Sequence, residues 1–443
     1  MTDMFIRDFT KAAKEEGIDR LNYYVETVER AAMEFVHGEV WTTEQSQNTN
    51  CFVQGEYQGN CGHSYIGDFD RISIREGLEN IMQIAEVTQD RFYPVMIDSE
   101  MSASVQPYKL SDQKVLKEEI ITAEKLAAEK FPSIKQFECH YREEVREIRL
   151  QNEKGEYISE TEGHVSVAVA AEAEGDGLIQ TAYITEKVAF GSEPDMSVLF
   201  FEAAQEAIGL LNSSPVAYGR YPVILKNTVV NEMFGMFAGT LCADMVHQKL
   251  SKFTGRLGEK VAASLVNLVE DPKLSEGIIQ RRFDDEGVPT MRKEIIKDGI
   301  LMMYLYNQEE ARKDGCVSTG NGFKADYKSK AGVHVTNLKM IGEEKTRTDL
   351  LRQMGDGLYI VSCDGMFAGA DVVSGDFSLI SKGYLIKDGE IERAVNQITV
   401  AGNFFDMMGD IQGVANDHLI GGDRTGAVIV PSVYVKELVI SGS

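Results

Sequence analysis

The stretch VVNEMFGMFAGTLC, residues 229–242, has the rhythm of a metal-holding helix, with an acid beside the place of a first ligand. In a helix, residues four apart share a face, so HExxH brings two histidines to one zinc while the glutamate polarises the bound water. Here Asn231 and Met236 stand where a zinc peptidase has histidines, and Glu232 alone keeps a reactive side chain. Those two positions are five apart, about 140° from one another at 3.6 residues per turn. One metal reaches both only if the helix is widened or broken, and Gly235 is where a break or a π-bulge is tolerated. An asparagine offers zinc only a neutral carbonyl, and a methionine only a soft, uncharged sulfur. The plainer reading is a buried core helix: Val230, Met233, Phe234, Phe237 and Leu241 form an apolar stripe, with Glu232 outside it as a solvated or ion-paired surface acid.

Other reactive residues form weaker patterns. Cys51, Cys61 and His63 give Cys-x9-Cys-x-His, a spacing that fits no common structural zinc site. His418 with Asp417 is a base without a placeable nucleophile, and the remaining histidines are dispersed. Ser362 and Cys363 lie in LYIVSCDGMF, whose alternation reads as a strand with a buried thiol. GxSxG does not occur. STGNG (318–322) lacks the Lys-Ser/Thr of a phosphate loop and reads as a turn.

The elements that position these residues come in two styles. A helix with Phe5, Phe9 and Ala12 on one face stops at Gly17, aromatic and β-branched strands follow, and a second helix carries Leu78, Ile81, Met82 and Ala85. The pattern resumes at Ser111-Asp112, a helix N-cap, runs through Leu116, Ile120, Ala123 and Ala127 to Pro132, and passes through more strands to a helix with Leu199, Ala203, Ile208 and Leu211. Helix, β-meander, helix thus occurs twice, over about 1–110 and 111–212. NSSPVAYGRYP (212–222) is the strongest linker signal. The expected fold is α+β: an N-terminal α+β domain over 1–220, then a β-rich domain over 221–443 with one prominent helix and turns such as KDG and CDG.

Composition bounds the function. The 443 residues hold 43% hydrophobic and 26% charged residues, as soluble globular proteins do. The balance of 45 Lys and Arg against 70 Asp and Glu gives a net charge of −25, spread along the chain without a basic stripe. Phosphate backbones and anionic membranes are repelled, so neither nucleic acid nor membrane is an expected partner. The first residues, MTDMFIRDFTKAAKEEG, contain acids and no apolar run, so neither a signal peptide nor an anchor is read there. Six cysteines without CxxC pairs suit a reducing compartment, and the expected location is cytoplasmic.

Several separated blocks resemble the TldD/PmbA (TldD/TldE) family of peptidases, also provisionally described as modulators of DNA gyrase. They are GRYPVILKNTVVNEMFG, FDDEGVPTMRKEIIKDGIL, STGNG followed by TNL, SGDFSLISKGYLIKDGEI, ITVAGNFFDMM and PSVYVKELVISG, in the family's order. The catalytic motif of the TldD branch is HExxxH with a distant cysteine completing a zinc site. Carried over, the first histidine falls on Asn231, the glutamate on Glu232 and the second histidine on Met236. The region of the third ligand, DHLIGGDRTGAVIV (417–430), has no cysteine. This departure resembles the TldE (PmbA) branch, which the resemblance implies is metal-free and paired with a TldD subunit.

The resemblance therefore implies a subunit without zinc of its own, joined to a TldD-like zinc peptidase in a homo- or heterodimer that processes peptides. Glu232 is the one surviving candidate catalytic residue. Two alternatives stand beside this: an active metallopeptidase with an unconventional site around Glu232, and a regulatory protein that binds gyrase or another partner.

Overall fold

A computed structural model describes residues 2–98, 109–175, 177–423 and 426–442. The first half runs α1 (Thr2–Glu15), β1 (Ile18–Val36), β2 (Glu39–Tyr57), β3 (Asn60–Ile66), α2 (Arg71–Thr88), then α3 (Gln113–Lys130), β4 (Ile134–Asn152), β5 (Tyr157–Gly175), β6 (Leu178–Ala189) and α4 (Met196–Gly209). Its strands form one antiparallel sheet, β3-β2-β1-β4-β5-β6, in which the two runs meet at the β1–β4 pair. Asp112 caps α3 by accepting from the Lys114 N–H at 2.9 Å. Ser111 instead reaches Glu143 across to β4.

Because side chains alternate across a strand, β1 sends Leu21, Tyr23 and Val25 to one face and Tyr24 and Glu26 to the other. The first face is covered by helices: Phe5, Phe9, Leu78 and Ile81 pack with Leu21 and Val53, and Leu116, Ile120, Phe200 and Ala203 with Phe137 and Val167. Contact is close enough that a Cβ on Gly62 of β3 would fall 1.8 Å from the Ile81 carbonyl oxygen, so only glycine fits there. On the opposite face Tyr24, Phe52, Ile148, Leu150 and Ile158 receive Phe283 from the second half of the chain.

That second half runs β7 (Gly219–Leu225), α5 (Asn227–Phe237), α6 (Ala243–His247), β8 (Leu268–Glu270), β9 (Lys293–Lys297), β10 (Ile300–Leu301), α7 (Gln308–Lys313), β11 (Gly322–Lys324), β12 (Ala331–Val333), β13 (Asn337–Met340), α8 (Arg347–Met354), β14 (Gly357–Asp364), α9 (Met366–Gly369), β15 (Asp376–Lys387), β16 (Glu390–Asn403), α10 (Phe404–Gly409), β17 (Ile411–Val414), β18 (Leu419–Asp423), β19 (Gly426–Val430) and β20 (Val433–Gly442). One sheet is ordered β16-β15-β14-β7-β20-β17, and β16 also pairs with β20, so five strands close into a ring. The other is ordered β10-β9-β8-β13-β19-β18. The KDG turns take their expected form: Asp298 and Gly299, and Asp388 and Gly389, all have positive φ, as two-residue hairpin turns require. The α+β class expected from sequence is the class found. No helix among the described residues is long and apolar enough to cross a membrane.

The two halves meet through buried charge. Arg281 is 2% exposed; its guanidinium donates to Asp285 at 2.8 Å and lies 3.9 Å from both Glu160 and Glu162 of β5. Arg146, also buried, pairs with Glu162 and lies 3.8 Å from Glu26. Removing one member of such a cluster leaves uncompensated charge in the interior, at about 3–5 kcal/mol. Arg281→Met is expected to lose stability of that order in urea denaturation at neutral pH. A loss below about 1 kcal/mol would show that the cluster does not hold the halves together.

Candidate functional site

Helix α5 lies between the strand ring and the second sheet, touching β14 on one side and β18 and β19 on the other. Its first N–H groups are satisfied by the fold: the Asn227 N–H donates to the Ser432 hydroxyl at 3.0 Å, and the Asn227 amide donates to the Asp417 carbonyl at 2.7 Å. Val229, Val230, Met233, Phe234 and Phe237 are buried and fix the inner face. The helix passes through Gly235 without the break or bulge the sequence allows, and tightens only afterwards, into a 3-10 turn at Ala238–Leu241. No backbone distortion therefore brings residues 231 and 236 to one point.

Asn231 is committed to the scaffold. Its Nδ2 donates to the Val428 carbonyl at 2.8 Å and to the Leu419 carbonyl at 3.3 Å, stitching the helix to β19 and β18. The strand position facing it is Gly421, where a Cβ would sit 1.8 Å from the Asn231 Oδ1. Leu419, Gly421 and Val428 thus present backbone to residue 231. Met236 is half-buried against the hydrophobic core. An amide bound to two carbonyls, a thioether packed in the core and a glycine do not make a zinc shell, and this donor set does not fit the metal.

Glu232 points outward and is solvent-exposed. The protein wall beside it, and then the Asp364 carboxylate at the end of β14, push its pKa above the ordinary carboxylate value. Cys363 is buried in the core that packs on α5, 3.2 Å from the Ser381 hydroxyl, and burial raises its thiol to about 12. It stays protonated at neutral pH, a poor nucleophile and a poor ligand. Just beyond, Phe367 stands 94% exposed.

The other sequence candidates resolve into structural roles. His63 stacks on Phe52 with ring centroids 5.4 Å apart, while Cys51 and Cys61 are buried free thiols. Among the described residues, no group of three or more His, Cys, Asp or Glu is placed to hold a metal ion. His418 rests on the Met340 carbonyl at 2.9 Å, and the Asp417 carboxylate accepts from the Ser432 N–H and hydroxyl at 2.8 Å. STGNG is an irregular stretch that bends at Gly320 and enters β11, and its Asn321 joins a buried network: it accepts from Lys293 Nζ at 2.9 Å and donates to Glu270 at 3.0 Å, and Lys293 pairs with Glu270 at 2.6 Å. Sequence reasoning missed Asp364 and Gly421. The first is remote in sequence from Glu232, and the second carries no side chain to notice.

What this frame defines is an α+β protein in which α5, carrying Asn231, Glu232 and Met236, is packed between a strand ring and a second sheet. The chain belongs to the PmbA/TldD family: the family model described as "PmbA/TldA metallopeptidase C-terminal domain" matches residues 218–442. It is similar to metalloprotease PmbA of Escherichia coli O157:H7, with 31% identity over 235 residues, 53% of this chain and 50% of that protein. Similarity extends to a metalloprotease TldD homolog of Haemophilus influenzae, 31% identical over 226 residues, 50% of this chain and 46% of that one. The chain therefore spans about half the length of these curated relatives. A Thermotoga maritima structure, provisionally described as a modulator of a DNA gyrase, superposes with a TM-score of 0.88 at 27% identity, covering 100% of both chains. TldE from Thermococcus kodakarensis gives a TM-score of 0.87 at 17% identity, over 99% of this chain and 100% of that one, a likeness of fold.

The raised pKa of Glu232 predicts a pH signature. The fold favours its protonated form, so that contribution is complete below the unfolded value of 4.5 and is lost as pH rises through the folded pKa. Glu232→Gln is expected to melt higher than the parent at pH 7 and to match it below pH 4.5 in thermal scans. A Tm difference that does not change with pH would show that Glu232 is not perturbed.

Proposed function

We propose that this chain is a PmbA/TldE-like subunit of a peptide-processing metallopeptidase assembly, without a catalytic zinc of its own. The observation that carries the reading is the Asn231 clamp on the Leu419 and Val428 carbonyls, facing Gly421, which occupies with hydrogen bonds the space a first ligand needs. The expected partner is a cytoplasmic TldD-like subunit that supplies HExxxH and the metal, joined to this chain in a dimer. This chain contributes scaffold and substrate channelling. The same reading divides the chain near 212–222, with an N-terminal part of duplicated origin; the two α-βββ-α runs meeting at β1–β4 support it.

A second reading places an unconventional catalytic site at Glu232, and its raised pKa beside Asp364 favours it. The purified chain, alone and mixed with an HExxxH partner, separates the two. Alone it is expected to release no products from unfolded peptide substrates and to hold no stoichiometric zinc by elemental analysis, with cleavage appearing only in the mixture. Zinc at one equivalent in the isolated chain, lost in Glu232→Ala together with peptide cleavage, would establish the second reading instead.

A further inference from the structure

A cleft of about 460 Å³ lies between the two halves of the chain, far in sequence from α5. Its floor is the sheet face around Tyr24 and Phe52, and its walls come from the segment after α2 and from residues 285–331. The volume is in the range of small-molecule sites, about 300–1,000 Å³. Its charge is opposite to that of the chain: Arg91, Arg312, Lys313, Lys324 and Lys330 line it, in a protein of net charge −25.

The four acids that line the cleft match only two of these five cations. Asp285 is bound from behind by buried Arg281 at 2.8 Å. Glu286 accepts from the Gln308 N–H at 2.8 Å; burial, and then neighbouring Asp284, raise its pKa to about 8, so at neutral pH it is mostly an uncharged acid. Asp90 pairs with Lys330, and Glu309 with Lys313 at 3.1 Å. Lys324 lies on the floor with its ammonium 3.4 Å from the centroid of the Phe52 ring. Arg91 and Arg312, one from each half of the chain, have no carboxylate within ion-pairing distance among the described residues. Arg91 lies over the Tyr93 ring at 5.9 Å, and neither guanidinium is held in an ion pair among the described residues, in a chain where carboxylates are in excess. Such a group binds phosphate or carboxylate through two parallel N–H donors, and low-dielectric walls strengthen the field it makes.

We propose that this cleft is a binding site for a compact polyanion bearing phosphate or carboxylate groups, held between Arg91 and Arg312 with Lys324 beneath. The site is independent of the reading of α5. A ligand there bridges the two halves, so binding stabilises the whole fold by mass action.

Calorimetric titration of the full chain with pyrophosphate and with citrate tests the site, with thermal shift as a second readout. At least one probe is expected to saturate one site with a Kd below about 1 mM and to raise Tm. The exposed pair Arg91→Gln with Arg312→Gln is expected to weaken that binding at least about tenfold while the unliganded Tm stays unchanged. Arg256→Gln, which does not line the cleft, is expected to leave it intact. Pyrophosphate binding alone identifies phosphate as the recognised group, and citrate binding alone identifies carboxylate. The proposal is overturned if neither probe saturates, if the double variant binds like the parent, or if an acidic tripeptide binds at these residues more tightly than both small ions.

Discussion

The hydrogen bonds from the Asn231 amide to the carbonyls of Leu419 and Val428 govern the character of the site. They fasten α5 to the strands of the second sheet, and they do so with the side chain that a metal site would need as a ligand. An imidazole at 231 would have to break both bonds and leave two carbonyls short of donors, at about 1–3 kcal/mol for each group stranded away from water. Gly421 removes the other wall, because any side chain there meets the Asn231 oxygen. The amide and the glycine are therefore one solution. Neither can be changed toward a metal shell without changing the other, and Met236 lies about 140° further round an unbroken helix.

The same economy of contact holds the two halves together. The open face of the first sheet takes Phe283 into an aromatic and aliphatic pocket and surrounds Arg281 with Glu160, Glu162 and Asp285. Apolar burial supplies attraction without direction, and the charges supply register, since a guanidinium inside the protein tolerates no displacement from its carboxylates. A chain with an excess of 25 negative charges gains twice from placing Arg146 and Arg281 there, because they neutralise acids that would otherwise repel across the seam.

Local patterns in the sequence were enough for the helices of the first half, the Asp112 cap, the KDG turns and the buried stripe of α5, all of which depend on residues within a turn or two of one another. The segment WTTEQSQNT belongs to β2 yet carries no alternation that marks a strand, because it is polar on both faces where it extends beyond its pairing with β3. Ring closure of β16 onto β20, and the partners of Asn231 nearly 200 residues downstream, leave no local trace. The candidate ligand positions were legible as residue types, and their geometry was not. Gly235 permitted a break that the packing of Phe234 and Phe237 against Phe404 does not require.

Those rings also explain why so complete a frame persists around ligand positions that do not suit zinc. Phe237 stacks on Phe404 at 4.3 Å, Phe234 meets the same ring edge-on at 5.2 Å, and Val229, Val230 and Met233 are each no more than 1% exposed. Truncating a buried residue of this size costs about 2–5 kcal/mol, a large share of the stability of a domain. The inner face of α5 is therefore fixed by packing whatever its outer face does. Residues 231 and 236 lie outside that fully buried stripe, and they are the two positions at which the sequence departs from the HExxxH pattern it resembles. The helix therefore keeps its place in the core whatever stands on its outer face, and the outward Glu232, beside a protein wall and the Asp364 carboxylate, is held above the ordinary carboxylate range.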